Sequence, residues 1–457
     1  MPHRSPLRRF VKGRRGRVTP MARAEDIVKA GSGAVVVWSF LPDDGAPSTF
    51  IHRCFSREAW RESGLRGRLE LCAGVLAWPL IMPGVIAVFT WYNGAWIKKR
   101  TGKGILRQMY EQFTLAAAHS LLPPWYYIFE LYEDDKRRRA REYLNRFETK
   151  RFIYPFLRKY NGGLRVPAVR STECLSDKAL FADRCRQFGL PAVPALMVFE
   201  NGRVVRSEGN EASLPEFDLF VKRLRGTGGR GAERWEYQGG GLYRNHTGTV
   251  LSAAALIERL RAATVGKGGC AVLPRLVNHP DIADLSNGAL ATVRVVTCRN
   301  ERDEYEVTNA SLRMAQGSAS IVDNFHAGGI VARVDLPTGV VGPATDGAMA
   351  LGPGRGWCDT HPDTGAPIAG RTLPYWPETL DLARRAHSLA FPDHVVIGWD
   401  IAILADGPRL VEGNKGPDLD LVQKSHRGPL GNARLGELLA FHLRRTITAN
   451  SSRPRNR

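Results

Sequence analysis

The segment of this 457-residue chain with the clearest potential for chemistry is VVIGWDIAILADGPRLVEGNKGPDLDLVQ. Two apolar runs flank an Asp-Gly turn signal, which predicts a hairpin with strands at 395–404 and 409–414. In that hairpin Asp400 lies opposite Glu412, and Asn414 lies on the same face. Two carboxylates about 5 Å apart repel by roughly 3 kcal/mol at an effective dielectric constant of about 20, so the pair requires a cation or a shared proton. Oxygen ligands of this kind suit Mg²⁺, and the alternative is a solvated hairpin face.

A second candidate for chemistry is a glycine-rich loop that follows an apolar strand predicted at 219–222. The strand ends in Lys222, and the loop has glycines at positions 226, 228, 229 and 231. Glycine lets backbone N–H groups approach phosphate oxygens closely, and a lysine supplies a fixed positive charge beside them. The loop lacks the Lys-Ser/Thr end of a Walker A motif, so phosphate binding is a hypothesis against the alternative of a plain flexible turn.

The apolar residues around Arg294 indicate that its side chain is buried and needs an anionic partner. Arg294 interrupts the run VRVV in a strand predicted at 290–298. A buried charge without a partner is costly, so we expect either a phosphate group or a carboxylate beside this guanidinium.

Together these features resemble an ATP-grasp fold, with a lysine on a small central subdomain, a glycine-rich flap and a late Asp…Glu-x-Asn hairpin. More closely, residues 161–440 resemble the sugar-transfer-associated ATP-grasp family, which is related to the α-L-glutamate ligases. The segment LPRLVNHPDIADLSNGALATVRVVT matches the linker strand and arginine strand of that family, and DNFHAGGIVARVDLPTG matches its Asn-x-His-x-Gly-Gly segment. The resemblance implies an α+β fold in which two α/β subdomains clasp ATP, preceded here by a mainly helical N-terminal region.

The resemblance also implies a role for each matching residue. ATP phosphates would be bound by Lys178 and Lys222 and covered by a flap of Gly226, Thr227, Gly228, Gly229 and Gly231. Adenine would contact the linker Leu273, Pro274, Arg275 and Leu276, and Mg²⁺ would be held by Asp400, Glu412 and Asn414. The transferring phosphoryl group or an acyl phosphate would be held by Arg294, with Arg313 as second candidate. A substrate or phosphate pocket would be shaped by Asn324, His326, Gly328 and Gly329.

Three of these residues have a simpler alternative or depart from the family pattern. Lys178 could be a solvated helix lysine, because single lysines usually are. His326 could simply hydrogen-bond within a turn. Arg275 stands where an acidic residue often follows the linker strand, so this position departs from the ribose contact of the commoner pattern.

The elements that must position these residues alternate between strands and helices after residue 161. Helices are predicted at 178–188, 250–263 and 378–390. Besides the hairpin, strands are predicted at 193–199, 219–222, 270–276, 290–298, 305–314 and 330–336.

Residues 1–160 match no family pattern, so their prediction depends on composition. Residues 1–35 form a basic arm that we expect to be disordered, and translation from Met21 in place of Met1 would remove much of it. Region 36–160 is predicted to be mainly helical, either membrane-associated or packed as a hairpin against the next domain. Residues 441–457 are predicted to be a basic, disordered tail.

The stretch 71–97 has no charged residue and is long enough to cross a bilayer of roughly 30 Å. Pro79 and Pro83 interrupt it, and basic residues flank both ends. These features favour a broken helix that enters the membrane and returns to one face, rather than a single span.

The net charge of +20 is unevenly distributed. Residues 1–160 contain 29 basic and 14 acidic residues, a net charge of +15 that leaves only +5 for the rest of the chain. A nucleic-acid enzyme would usually carry its basic stripe beside the active site, so an anionic membrane surface is the favoured partner of this end and nucleic acid the less favoured one. Seven cysteines without a C-x-x-C pair are typical of a reduced, cytoplasmic protein, and none is predicted to be a nucleophile.

The resulting functional prediction is an ADP-forming, ATP-dependent carboxylate–amine ligase with an acyl-phosphate intermediate. Its cofactors would be ATP and Mg²⁺. Its substrates would be a small carboxylate and an amine such as an amino sugar. It would act in the synthesis of polysaccharides or sugar conjugates at the cytoplasmic face of a membrane. The alternatives are an ATP-grasp phosphotransferase and a nucleotide-binding scaffold of a membrane-bound polysaccharide assembly system.

Overall fold

The computed structural model describes residues 38–160, 171–226, 231–317, 320–323, 325, 328–346 and 356–451. The predicted basic arm, the flap residues Thr227, Gly228 and Gly229, and the pocket residues Asn324 and His326 lie outside the described residues.

Helices make up most of the described N-terminal region. They are α1 (Pro47–Glu62), α2 (Leu65–Thr101), α3 (Ile105–His119), α4 (Pro123–Ile128), α5 (Asp134–Arg138) and α6 (Tyr154–Lys159), with a 3₁₀ turn at Ala140–Glu142 and a π-helix at Phe147–Ile153. The helices that follow are α7 (Ser171–Cys174), α8 (Lys178–Gln187), α9 (Ala253–Thr264), α10 (Pro280–Ala283), α11 (Trp376–Arg385), a π-helix at Ala386–Ala390, α12 (Leu419–Ser425) and α13 (Arg434–Ser451).

The long helix α2 corrects the prediction of a broken, re-entrant helix. Pro79 and Pro83 both lie inside one continuous helix of 37 residues. Each proline removes a single backbone hydrogen bond, and the burial of Met82, Ile86 and Phe89 in the core holds the following turns in place. Within the described part of the chain, α2 is the helix long and apolar enough to cross a membrane, yet only 17% of its most apolar 18-residue window is buried.

The first sheet is antiparallel and has seven strands. Its strands are β1 (Met197–Glu200), β2 (Arg203–Ser207), β3 (Leu219–Arg223), β4 (Glu233–Tyr237), β5 (Leu242–Asn245), β6 (Val250–Ser252) and β7 (Cys270–Pro274), in the order β2-β1-β7-β3-β4-β5-β6. The predicted helix at 250–263 begins later, because its first residues pair as β6 and the side chain of Ser252 caps α9.

The second sheet is also antiparallel and carries the predicted hairpin. Its strands are β8 (Thr292–Arg299), β9 (Tyr305–Met314), β10 (Ile330–Val334), β11 (Val341–Asp346), β12 (Trp357–Cys358), β13 (Val396–Leu404) and β14 (Gly407–Asn414), in the order β12-β11-β10-β9-β8-β13-β14. Asp400 pairs with Glu412 and Gly398 pairs with Asn414, so the predicted register of the hairpin is confirmed.

The N-terminal helices and the second sheet share one hydrophobic core. Trp38 and Ile51 belong to the same buried cluster as Val296 of β8 and Leu439 of α13. Buried Glu130 also pairs with Lys424 of α12 at 3.2 Å. The α+β class with a mainly helical N-terminal region is therefore confirmed, and the helical region packs against the region that contains the second sheet.

The predicted disordered tail is wrong for residues 441–451. They continue α13, where His442 and Leu443 are completely buried. His442 Nε2 lies 2.6 Å from the carbonyl oxygen of Arg299, which fixes this turn of the helix against the second sheet. Apolar and hydrogen-bonding positions on one face of α13 therefore outweigh the basic composition.

Candidate active site

A cleft of about 900 Å³ opens between the two sheets. Strands β3 and β7 contribute to its first wall, and β8, β9, β13 and β14 contribute to its second. The N-terminal region adds residues from the π-helix and α6. This volume lies in the upper part of the range of about 300–1,000 Å³ that small-molecule sites occupy.

Both predicted phosphate lysines line this cleft. Lys178 is the first residue of α8, whose N-cap Asp177 accepts hydrogen bonds from two backbone N–H groups. Its ammonium lies 3.5 Å from the carbonyl oxygen of Gly226. Burial lowers the pKa of Lys178, Glu412 opposes that effect, and Lys222 adds to it. Lys178 is therefore a half-buried cleft residue and not the solvated helix lysine of the alternative reading.

The glycine-rich loop reaches the cleft at its described end. Gly226 lines the cleft with a φ of 140°, a conformation that side-chain-bearing residues rarely adopt. Gly231 has a φ of 72° and lies against Arg223. The remaining flap residues are outside the described part, so phosphate contact by the flap stays a prediction.

The predicted adenine linker begins at the end of β7, the strand that pairs with β3. Leu273, Pro274, Arg275 and Leu276 all line the cleft. Strand β7 pairs with β3, and this pairing brings the linker and Lys222 to the same cleft. Arg275 donates to Asp218 at 2.7 Å, and this carboxylate neutralises the cation that departs from the commoner family pattern.

The two predicted arginines converge on Asp400 at the base of the cleft. Arg294 lies directly across from Asp400 on the neighbouring strand and donates to both of its oxygens, with Nη2 at 3.1 Å from Oδ2. Arg313 donates to the same Oδ2 at 2.8 Å. The expected partner of the buried Arg294 is therefore a carboxylate. Burial raises the pKa of Asp400, but Arg294 and Arg313 together hold it well below its ordinary value.

A glycine makes room for this network. A Cβ atom on Gly398 would lie 2.8 Å from Pro417 and 3.3 Å from the Cδ atom of Arg294. The missing side chain opposite Asn414 therefore leaves space for the Arg294 side chain beside Asp400.

Asp323 completes the network, and the sequence analysis did not identify it. Arg313 Nη2 donates to Asp323 at 3.0 Å, and the hydroxyl of Thr292 donates to the other carboxylate oxygen. Asp323 comes directly before the Asn-x-His-x-Gly-Gly segment, and a single aspartate in a loop gives no periodic signal by which to find it.

The predicted Mg²⁺ ligands share one face of the hairpin and line the cleft. Asn414 Nδ2 donates to Glu412 at 3.3 Å, so the amide oxygen of Asn414 is left as an acceptor. Within the described residues no group of three His, Cys, Asp or Glu side chains is placed to hold a metal ion. The set of two carboxylates and one amide still fits Mg²⁺, because this ion usually takes one or two carboxylates and completes its shell with substrate phosphates and water. The two arginines already balance Asp400, so the carboxylate pair does not by itself require a metal.

The predicted pocket glycines are not among the residues that line the described cleft. Gly328 is exposed with a φ of 105°, and Gly329 is buried outside it. The cleft is reached instead by the residues just before them, Ile321, Val322 and Phe325. A role for Gly328 and Gly329 in substrate binding therefore finds no support in the described geometry.

Several cleft residues come from region 36–160, for which the sequence left membrane association and packing against the next domain as alternatives. Arg146, Lys150 and Tyr154 line the cleft together with Arg158. Arg146 and Lys150 belong to the basic segment KRRRAREYLNRFETKR, and at these two positions the segment contributes to the cleft. The signal was ambiguous because a basic helical segment looks alike whether it faces lipid or a polar cleft.

Comparison with solved structures gives matches among ATP-grasp enzymes. D-alanyl-alanine synthetase A from Vibrio cholerae O1 biovar eltor str. N16961 is 11% identical, with 61% of this chain and 67% of that chain covered and a TM-score of 0.35. The N5-carboxyaminoimidazole synthase of Aspergillus clavatus, solved with ADP and 5-aminoimidazole ribonucleotide, is 11% identical, with coverage of 59% and 52% and a TM-score of 0.30.

An ADP complex of N5-carboxyaminoimidazole ribonucleotide synthetase is 12% identical, with coverage of 54% of this chain and 46% of that chain and a TM-score of 0.31. The chain thus matches about half the length of the two carboxyaminoimidazole enzymes. Comparison with curated protein sequences gives no match.

The family comparison covers both sheets and most of the residues that line the cleft. The sugar-transfer associated ATP-grasp family matches residues 156–431, a range that includes Lys178, Lys222, Arg294 and the hairpin with Asp400. Since this match extends over more than half of the chain, the protein belongs to the sugar-transfer associated ATP-grasp family and has an ATP-grasp fold.

Proposed function

We propose that the protein is an ADP-forming ligase that uses ATP and Mg²⁺ to join a carboxylate to an amine. The proposal depends on the residues that share one cleft. Lys178 and Lys222 form no ion pair with a described carboxylate, and the same cleft contains the buried Arg294 and Arg313 and the hairpin that carries Asp400, Glu412 and Asn414. Such a site can neutralise a triphosphate and the charge that develops during phosphoryl transfer. Family membership and the ATP-grasp fold support the same reaction class.

In the proposed reaction, a carboxylate oxygen of the first substrate attacks the γ-phosphorus of ATP. The bond from this phosphorus to the β,γ-bridging oxygen breaks, and ADP leaves with that electron pair. The nitrogen of the amine then attacks the carbonyl carbon of the acyl phosphate, inorganic phosphate departs, and the nitrogen loses one proton. The atoms balance as carboxylate, amine and ATP giving amide, ADP and phosphate.

The protein residues would position the reactants and neutralise charge. Lys178 and Lys222 would bind the phosphates, and Arg294 would stabilise the transferring phosphoryl group while Asp400 holds its guanidinium in place. Arg313, tied to Asp323 and Asp400, would hold the carboxylate of Asp400, and with it the guanidinium of Arg294, in position at the base of the cleft. Mg²⁺, held by Glu412 and Asn414 with Asp400, would offset phosphate charge when bound.

We further propose that the amine acceptor is a sugar derivative and that the reaction serves the synthesis of polysaccharides or sugar conjugates. The description of the family as sugar-transfer associated supports this setting. A direct phosphotransferase reaction and a nucleotide-binding scaffold are the competing functions, and each gives a different product pattern.

The test is an assay of purified protein with Mg²⁺, ATP and panels of carboxylates and amino sugars. A ligase releases ADP and free phosphate in equal amounts, and only when carboxylate and amine are both present. ADP without free phosphate, together with a phosphorylated product, would replace the proposal with a phosphotransferase. Tight ATP binding without turnover on any substrate pair would favour a scaffold.

Replacing either phosphate lysine should weaken ATP binding. Lys178→Met and Lys222→Met each remove one charge-assisted contact, which is worth about 1.5–3 kcal/mol, so we expect the Kd for ATP to rise about 10- to 100-fold. Lys267→Met, an exposed change on the same half of the molecule, is the control. Calorimetric titration measures the effect, and unchanged affinity in both cleft variants would contradict the assigned roles.

A further inference from the structure

One end of the cleft carries basic side chains that the proposed nucleotide roles leave unused. Arg146 directly precedes the π-helix, Lys150 lies in the middle of it, and Arg158 comes from α6. They gather around the loop that follows β14, where Lys150 donates to the carbonyl of Gly416 at 3.0 Å and Arg158 to that of Lys415 at 2.8 Å. Arg146 and Lys150 precede the range that the family comparison matches, so they are features of this chain's own N-terminal region.

The positive charge at this end is only partly compensated. Asp418 lies 3.5 Å from Arg146 and 3.9 Å from Lys150, and Asp420 lies 3.8 Å from Arg146. Arg158 and Lys415, in contrast, form no ion pair with a described carboxylate. Burial lowers the pKa of Lys150, Asp418 opposes that effect, and both Arg146 and Arg294 add to it. Lys150 therefore lies within the electrostatic reach of Arg294, the residue assigned to phosphoryl transfer.

The cleft as a whole shows the same excess. Its described lining includes eleven arginines and lysines but only four carboxylates, Asp323, Asp400, Glu412 and Asp418. Three further carboxylates pair with lining arginines from outside the cleft, Asp420 with Arg146, Glu236 with Arg234 and Asp218 with Arg275, so eleven cations face seven acids. Two of those carboxylates are already paired with Arg313. Like charges in a partly buried cleft repel one another, and bound anions remove that cost. One triphosphate accounts for the lysines and arginines on the nucleotide side, and the cations around Lys150 remain for another anion.

We propose that Arg146, Lys150, Arg158 and Lys415 bind a phosphate ester group of the second substrate. This inference rests on the proposed ligase function, because it places that group within the electrostatic reach of Arg294, beside the loop that follows β14. A phosphate ester carries a charge of about −1.5 to −2, which matches the excess of four cations over the two acids Asp418 and Asp420 better than one carboxylate would. Tyr154, whose hydroxyl donates to the carbonyl of Pro417 at 3.0 Å, would hold the loop that carries Lys415.

The experiment uses full-length protein saturated with Mg²⁺ and AMP-PNP, so that the nucleotide half is occupied. Inorganic phosphate, glucose 1-phosphate and geranyl phosphate are titrated in, with methyl glucoside as the neutral probe. We expect at least one phosphorylated probe to bind, and Lys150→Met and Arg146→Gln each to weaken it about tenfold or more. Glucose 1-phosphate and geranyl phosphate separate a sugar from a lipid as the source of the group.

The controls distinguish failure of the proposed phosphate subsite from failure of the proposed ATP-dependent function. Arg138→Gln removes a charge from an exposed residue of the same region and should change nothing, and Lys150→Arg should restore binding. The affinity for AMP-PNP should stay within twofold in all four variants; if Lys150 only supported the Gly416 loop, that affinity would fall as well. Failure of AMP-PNP to bind the unmodified protein would refute the ATP-dependent function, whereas normal AMP-PNP binding without any phosphate binding would refute only the second subsite.

Helix α2 supports a second, independent inference. Large apolar side chains on one face of this helix are exposed to solvent, at spacings of four, seven, four and eleven residues. They include Leu65, Leu69, Leu76, Leu80 and Trp91, which are 79%, 62%, 79%, 83% and 84% exposed. The buried side chains Met82, Ile86 and Phe89 lie on another face. This apolar stripe is about 39 Å long at 1.5 Å per residue.

The charged residues at the two ends of the stripe indicate which kind of partner can cover it. Arg66 and Arg68 lie at its first end, where Glu70 pairs with Arg66 and leaves a net charge of +1, and Lys98, Lys99 and Arg100 lie at its second end. A second copy of the chain docked along this helix would bring basic ends together in either orientation, which is repulsive. Anionic lipid headgroups would attract both ends while the acyl region accepts the leucines and the tryptophan.

We infer that the apolar stripe of α2 lies in the surface of an anionic lipid bilayer. Full-length protein should co-sediment with vesicles of phosphatidylcholine and phosphatidylglycerol at 7:3, and less with pure phosphatidylcholine. Leu76→Glu combined with Leu80→Glu should reduce binding at least tenfold. Val205→Glu combined with Val265→Glu, at exposed apolar positions elsewhere, should leave it unchanged. Undiminished binding of the α2 variant would assign membrane contact to the basic arm and overturn the inference, as would a dimer in solution that the same variant dissociates.

Discussion

Asp400→Asn is expected to lower the kcat for ADP release by about 10²–10³-fold, the size of effect that removal of one charge-stabilising group from an active site produces. The carboxylate accepts hydrogen bonds from Arg294 and from Arg313, and its position sets the position of both guanidiniums. An asparagine keeps the shape but loses the charge, and its amide group would point a donor at one guanidinium. Steady-state ADP release with saturating ATP measures the loss.

The same substitution should also destabilise the fold. Removing one member of a buried ion pair leaves its partner uncompensated, which typically costs about 3–5 kcal/mol. Because the pKa of Asp400 lies below its ordinary value in the folded protein, its pairing stabilises the fold at neutral pH and loses that contribution as the pH falls into the acid range. Urea unfolding at pH 7 measures the change in the free energy of unfolding.

Two comparisons separate catalysis from folding. Glu412→Gln removes a proposed Mg²⁺ ligand, so turnover should fall. Glu412 forms no ion pair with the described residues, so the free energy of unfolding should stay within about 1 kcal/mol of its original value. Asp335→Asn, which affects an exposed pair with Arg333 on the same sheet, should change neither. An Asp400→Asn protein that keeps more than a tenth of the kcat would remove Asp400 from the mechanism.

Arg294→Lys is the second substitution with a large expected effect. Lysine keeps the positive charge beside Asp400, so the protein should fold and bind ATP with a Kd within about threefold of the unmodified protein. It cannot offer the paired donors of a guanidinium, so one contact to the transferring phosphoryl group is lost. We expect kcat to fall about 10²–10³-fold, equivalent to roughly 2.7–4 kcal/mol of transition-state stabilisation.

Single-turnover kinetics with ATP and the carboxylate will locate the Arg294 effect. The rate of ADP formation should fall, and the affinity for ATP should not. Arg333→Lys is the matched control, because Arg333 is an exposed arginine on β10 of the same sheet. If Arg294→Lys instead raised the Kd for ATP and left the rate of ADP formation intact, Arg294 would be a ground-state ligand only.

The hairpin shows how far local sequence signals reach. An Asp-Gly turn between two apolar runs sets the pairing of Asp400 with Glu412, because a hairpin register depends on the turn and on the alternation of faces within about ten residues. Strands β3, β7, β8 and β9 were predicted for the same reason, since each is a short apolar run bounded by turn residues. The family resemblance then brought Lys178 and Lys222 into the same site.

In the N-terminal region, local sequence patterns were not sufficient to predict the structure. The apolar run at 71–97 predicted contact with a membrane, but neither its continuity through two prolines nor the face that it exposes could be derived from composition. Likewise the basic run before residue 160 contains Arg146 and Lys150, which line the cleft, and Arg138, which is exposed. These residues have the same chemistry and differ only in what the folded chain brings near them.

The sequence alone determines the fold class, the register of the late hairpin and most of the candidate nucleotide-binding residues. Each of these depends on neighbours along the chain or on a recognisable pattern. Only the tertiary structure decides that Asp400 is balanced by two arginines, that Asp323 completes their network and that the helical region supplies cations to the cleft. Those contacts join residues separated by tens to hundreds of positions. Their strength depends on burial and on the surrounding charges, which no local pattern encodes.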